Sequence, residues 1–242
     1  MKFNHYTLLS SVLLLFCLNA CKDDDVAPEK PAPEPEPKEV IVNEWVTIDK
    51  KKIVNVKDLK IESSRRTFVY FSLEGMKIID AEKVKTNEWD IAFTLANAAN
   101  IYANTGQTTN TDAPYYQGAG RAVIAFVTQN FDDVTAPPAD DQFDQTGKLA
   151  FGIRSSGAPE EPFFWANYMY DEKGFATHSV PYPNKTLIIK LTDGRYAKLQ
   201  YQSNYKGGLT NPTAADHIAD KLGYCSFRYF ISKAGSKDLT TK

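Results

Sequence analysis

TLIIKLTDGRYAKLQY, residues 186–201, decides the fold class. Asp193-Gly194 sits between two apolar, β-prone runs, a strong short-range hairpin signal. A two-residue Asp-Gly loop would set Ile189 opposite Lys198 and Leu187 opposite Gln200, mixing the faces. A three-residue loop, Thr192-Asp193-Gly194, with Gly194 in the left-handed conformation of a G1 bulge, sorts them. Leu187, Ile189, Leu191, Ala197, Leu199 and Tyr201 then share one face, with Arg195 at the loop edge as the exception. Ile188, Lys190, Tyr196, Lys198 and Gln200 take the other. Because a one-residue slip would invert every side chain, this segregation favours the bulged loop. The pattern predicts antiparallel pairing with one face in water.

Outward from the hairpin, similar runs recur. Residues 40–48, 52–56, 67–73, 76–79, 89–93, 121–128, 149–153, 163–170 and 224–231 read as strands, punctuated by Gly, Pro, Asn and Asp. Residues 96–113, rich in Asn, Thr and Ala, read as either a loop or an irregular strand. Only residues 213–222, TAADHIADKL, suggest a helix, with Thr213 to cap it and Gly223 to end it. The expected fold is all-β: an antiparallel sandwich or barrel-like domain over residues 40–242 with one short helix near the C-terminus.

The N-terminal residues read differently. Lys2 and His5 precede a short apolar run from Leu8 to Leu18, followed by Asn19, Ala20 and Cys21. That is a secretory signal over residues 1–20, and it is well short of the ~20 residues that span a bilayer. Leu18-Asn19-Ala20-Cys21 resembles a bacterial lipobox, which implies lipidation at Cys21. Lys22-Asp23-Asp24-Asp25 resembles the acidic tag that sends Bacteroidota lipoproteins to the outer face of the outer membrane. Residues 27–39, APEKPAPEPEPKE, alternate proline with charge and give a polyproline-like spacer of roughly 40 Å. Residues 21–39 are therefore expected to hold a lipid anchor, an export tag and a tether.

Composition narrows the function. The net charge is −2, and about −3 once Lys2 leaves with the signal, so nothing electrostatic points to nucleic acid or anionic lipid. Membrane contact would come through the acyl anchor alone. Cys225 is the single cysteine beyond Cys21, so a disulfide framework is not expected and stability must come from a core. Gly-x-Ser-x-Gly, phosphate-loop and His-Glu-x-x-His patterns are missing from the sequence, which favours a binding protein over an enzyme.

Several segments together carry a resemblance. Arg66 to Gly75, RTFVYFSLEG, precedes Asn87 to Phe93, NEWDIAF. A Gly-Ala-Gly-Arg-Ala-Val strand start follows at 118–123. Then come Trp165, Tyr168, Tyr170-Asp171, Thr177-His178 and Pro183-Asn184-Lys185, leading into the hairpin. In order and spacing the chain resembles the HmuY-like family of Bacteroidota surface lipoproteins over about residues 45–232. The Trp-Asp-Ile-Ala-Phe strand and the Asp-Gly-x-Tyr-Ala-Lys hairpin are its most specific marks. The resemblance implies packed antiparallel sheets, heme as cofactor, and delivery to a TonB-dependent outer-membrane receptor.

In that family two loop residues, paired histidines or paired methionines, hold the iron. One such region maps here to about residues 144–162, which contain no His, Met or Cys. The other offers Met169, Tyr170 and His178. His178 lies in the polar stretch ATHSVP, read as a loop, and an imidazole there suits iron. Met169 is soft enough for iron, although a strand methionine ordinarily packs in a core; Tyr170 as a phenolate has precedent with heme. Tyr115 and Tyr116 precede Gly118 and suit stacking on a porphyrin or sugar, or docking on the core. His217, beside Asp216 and Asp220, offers too few ligands for structural zinc. The alternative reading is an accessory module of the same fold serving an outer-membrane transporter for another nutrient, without heme.

Overall fold

The Asp-Gly hairpin forms with the bulged three-residue loop. In the computed structural model Leu187 faces Leu199 and Ile189 faces Ala197. Gly194 takes φ +85°, its amide donating to Leu191 O at 2.9 Å, while the Leu191 amide donates to Arg195 O at 2.8 Å. A residue with a Cβ would be strained at that angle, which is why glycine ends the loop. The structure describes residues 38–241 apart from 65, 96, 97 and 156. The expected signal, the expected lipidation at Cys21 and the expected tether up to residue 37 lie outside the described residues.

Fourteen strands follow among the described residues: β1 (Val40–Ile41), β2 (Val46–Ile48), β3 (Val54–Lys60), β4 (Val69–Ser72), β5 (Lys77–Ile79), β6 (Ile91–Thr94) and β7 (Asn100–Ala103) in the first half. The second half holds β8 (Val123–Val127), β9 (Gly152–Arg154), β10 (Phe164–Tyr170), β11 (Ala176–Pro181), β12 (Thr186–Lys190), β13 (Tyr196–Tyr205) and β14 (Leu222–Ile231). One sheet runs β1-β2-β3-β14-β13-β12-β8, and the others run β5-β4-β6-β7 and β11-β10-β9. All pairs are antiparallel except β9 with β10. An Ile101–Phe151 bridge joins the two smaller sheets edge to edge into a second layer.

The core lies between the layers and is aromatic. Phe71, Phe93, Trp165, Tyr201, Phe227 and Tyr229 are each 0–1% exposed. Tyr201 stacks on Phe227 with centroids 6.4 Å apart and lies 4.2 Å from Trp165. The buried polar tips are satisfied, as packing rings of this kind requires. Trp165 Nε1 donates to Ala99 O at 2.8 Å and Tyr229 Oη donates to Leu73 O at 2.6 Å.

The sequence reading fails at three places. The second face of the hairpin is not wet, because Ile188, Tyr196, Lys198 and Gln200 are all buried. Irregular backbone at Phe131–Phe143 and the C-terminal Leu239 cover it as a third layer. Lys198, fully buried, donates to Phe131 O (2.8 Å), Val134 O (2.9 Å) and Thr241 Oγ1 (3.0 Å), with its ammonium 4.4 Å from the Phe131 ring centre. A buried charge survives only with such partners. The expected helix at 213–222 is two 3₁₀ turns, Ala214–Asp216 and Ala219–Lys221, separated by extended Ile218. Asp216 spends its carboxylate on Thr213 and Lys221, and the helical stripe Ala215-Ile218-Ala219 finds no surface to pack on, Ile218 staying 49% exposed. Residues 176–181 are strand β11 rather than loop.

Lys198 generates a prediction. Lys198→Met leaves two buried carbonyls short of a donor and should lower the unfolding free energy by about 2–4 kcal/mol in urea titrations. It should also make the segment after Ile231 an early site of limited proteolysis.

Candidate functional site

Strands β10 and β11 form a hairpin closed by Asp171-Glu172-Lys173-Gly174-Phe175. Asp171 Oδ1 accepts from the amides of Lys173 (3.0 Å) and Phe175 (2.9 Å), and Gly174 supplies the left-handed residue. This pairing sets Met169 directly opposite His178. Cross-strand neighbours project from one face with Cβ atoms about 5 Å apart. Two of the candidate ligands therefore stand side by side.

Burial separates the ends of this hairpin. Trp165 and Met169 share strand parity, yet Trp165 is 1% exposed and Met169 is 42% exposed. The face that packs in the core at Trp165 runs out into solvent by Met169. Phe175, at 66% exposed, lies beyond it on the turn. Met169 is thus no core methionine. On the other face, the Ser179 amide donates to Tyr205 Oη at 2.9 Å, and that hydroxyl lies 3.0 Å from His217 Nδ1. Tyr170 is half-buried, at a bulge that follows Met169.

The hydroxyl of Thr177 holds the ring of His178. Thr177 Oγ1 donates its single proton to Met169 O at 3.1 Å and lies 2.9 Å from His178 Nδ1. With its proton given to Met169 O, the hydroxyl accepts from the ring, the arrangement in which Nδ1 carries the hydrogen and Nε2 keeps its lone pair. That is the tautomer a metal-bound histidine needs, with its second nitrogen held by an acceptor. Asn167 Nδ2 donates to Met169 Sδ at 3.8 Å, which orients the thioether.

The other candidates are not brought to this hairpin. Tyr115 is a core residue rather than a stacking surface: it is 1% exposed and its ring meets Trp89 and Phe68 edge-on. Burial pushes its phenol well above the ordinary tyrosine range. Tyr116 is half-buried, and its carbonyl accepts from Lys85 Nζ. Burial first, and then the electrostatic influence of nearby His178, hold His217 below the usual histidine range. Cys225 is fully buried against Tyr201 Oη (2.9 Å), and burial raises its thiol to about 12, so it is inert packing.

The strand that carries His178 escaped the sequence reading because ATHSVP is polar and ends in proline. The signal that could have found it is the turn chemistry of Asp171 to Gly174 directly after β10.

No protein-family model matches the chain, and no curated protein matches it. Solved structures do. A Bacteroides vulgatus protein named as HmuY-like and heme-binding is 15% identical, with TM-score 0.40, over 73% of this chain and 90% of that one. A Bacteroides fragilis protein named as a lipoprotein is 15% identical, with TM-score 0.39, over 73% and 89%. The apo HmuY analog of Tannerella forsythia is 13% identical, with TM-score 0.33, over 75% and 97%. The chain is similar in structure to HmuY-like proteins.

A second cluster of titratable groups lies at the far rim of the Asp-Gly hairpin. Glu74, Glu88, Asp90, Asp193 and Arg195 line a cavity of about 240 Å³. Arg195 bridges Glu74 and Asp193, each at 2.7 Å, and Asp90 Oδ2 accepts from the Leu73 amide at 2.7 Å. Burial raises the Asp90 carboxyl to about 6; the charges of Asp193 and Glu74 add to this, and the Leu73 amide and Arg195 oppose it. The folded protein thus holds this proton to higher pH than the unfolded chain. Its contribution to stability is full below about pH 4 and is lost as pH rises through 6. Asp90→Asn keeps the acceptor for Leu73 and removes the charge. The variant should gain about 2 kcal/mol on the parent between pH 4 and pH 7 in paired urea titrations.

Proposed function

We propose that this chain is a surface lipoprotein that binds heme at the β10–β11 hairpin, with His178 as the iron ligand, and passes it to a TonB-dependent outer-membrane receptor. The observation that carries the reading is the cross-strand pair His178–Met169, in which Thr177 engages Nδ1 of the imidazole and leaves Nε2 without a hydrogen-bond partner among the described residues, beside the exposed thioether of Met169. An imidazole presented this way matches the proximal ligation of heme proteins. His178 would hold the iron through Nε2, whereas Met169, its cross-strand neighbour, projects in parallel with it rather than facing it. Met169 therefore serves as a flank for the ring edge, and exposed Phe175 extends that apolar surface. When bound, heme would supply only the iron as a Lewis-acid centre for the imidazole. The chain's own contribution is to hold the His178 tautomer and offer an apolar border. An open site also suits a carrier that must release its cargo.

Titration of the untagged unit Glu36–Lys242 with hemin should give a saturable one-to-one Soret shift. His178→Ala should weaken it at least tenfold, Met169→Ala by a few-fold, and Tyr170→Phe hardly at all. Thr177→Val, which removes the acceptor for Nδ1, should weaken it by an intermediate amount. Spectra unchanged in all three of the His178, Met169 and Tyr170 variants would remove the ligand assignment. No shift beyond that of an unrelated protein would leave the accessory module for another nutrient as the function; residues 144–162, which supply no iron ligand, favour that reading.

A further inference from the structure

Where the large sheet meets the turn between β4 and β5, the core is not closed. Ile48, Met76 and Ile231 remain half-buried around fully buried Leu73, lining a cavity of about 360 Å³. That lies within the size range of small-molecule sites, whose usual composition is an apolar lining with a few polar groups. The polar groups here are Lys52, Lys233, Arg195 and Glu74. Arg195 is shared between Glu74 and Asp193, each at 2.7 Å, so that bridge carries one negative charge. Lys52 and Lys233 are exposed, and neither ammonium has an ion pair within 4 Å among the described residues. Lys52 is held at the rim by a tight turn in which Asp49 Oδ1 accepts from the Lys51 and Ile53 amides, with Lys52 itself at φ +63°.

We propose that this cavity binds a small amphipathic anion, with an apolar body on the Ile48–Leu73–Met76–Ile231 floor and one carboxylate or sulfonate between Lys52 and Lys233. Charge complementarity selects the occupant. An apolar floor excludes a strongly hydrated ion, the two ammonium groups outweigh the one negative charge of the Arg195 bridge and so exclude a cation, and a neutral apolar molecule would leave those ammonium groups unused. Two lysines on flexible stems offer point charges rather than a fixed fork, which suits a single terminal anion more than a planar bidentate one. The site shares no residue with the β10–β11 hairpin and does not depend on the heme reading.

The untagged protein should bind 8-anilinonaphthalene-1-sulfonate saturably at one site, with enhanced fluorescence. Decanoate should displace it, and decanol should do so at least tenfold less well. The double variant K52E/K233E, altered only at exposed positions, should lose at least tenfold in affinity for both anions while melting at the parent temperature. K52Q/K233Q should fall between. His178→Ala should bind both anions as the parent does. The proposal is overturned by the lack of a saturable site, by equal competition from decanol, by unchanged affinity in the charge-reversed protein, or by loss of binding in His178→Ala.

Discussion

The three-residue loop at Thr192–Gly194 is the constraint on which the molecule depends. Strand side chains alternate with a period of two, so the loop length decides which residues of β13 enter the core and which leave it. With three residues, Tyr201 points inward against Trp165 and Phe227 while Lys198 points outward. A slip of one residue would set the ammonium of Lys198 among those rings, where no carbonyl awaits it. Phe227 and Tyr229 of β14 are fixed in turn by their register with Tyr201 and Leu199. The aromatic core therefore inherits its geometry from one turn.

The outward position of Lys198 has its own consequence. A buried ammonium needs acceptors, and here they are carbonyls of Phe131 and Val134 and the hydroxyl of Thr241. Irregular backbone is well suited to this role because its carbonyls are not committed to a ladder. Lys198 thereby ties two distant coil segments onto the outer face of the large sheet, and Ile188, Tyr196, Val134, Phe143 and Leu239 pack behind it.

What the sequence made legible follows from locality. The hairpin register, most strands and the sorting of Leu187 to Tyr201 depend on neighbours in the chain, and the alternating pattern reports them. The covering of the second hairpin face depends on segments 40 to 67 residues away, and Lys198 looks like a surface residue until those segments are placed. Residues 213–222 had a cap, a stop and an apolar stripe, but that stripe, mostly alanine, meets no partner surface, and its Ile218 stays exposed. At the candidate site the residue types were legible while their pairing was not. Met169 and His178 become neighbours only through β11, and Tyr115 is claimed by Trp89, which alternation within its own loop could not reveal.

Arg195 was the one residue out of place when the hairpin faces were sorted, and its position shows why such exceptions are informative. It stands on the apolar face yet keeps its charge by bridging Glu74 and Asp193. Its guanidinium thereby lines both the carboxylate cavity around Asp90 and the apolar cavity beside Lys52. A lysine would supply the charge without the fork that holds two carboxylates at once. By tying Glu74 down, Arg195 keeps that carboxylate from answering Lys52 and Lys233, which is why the rim retains positive charge. The same bridge tempers the repulsion that Glu74 and Asp193 exert on Asp90. One guanidinium at a loop edge thus sets the electrostatics of two adjoining cavities.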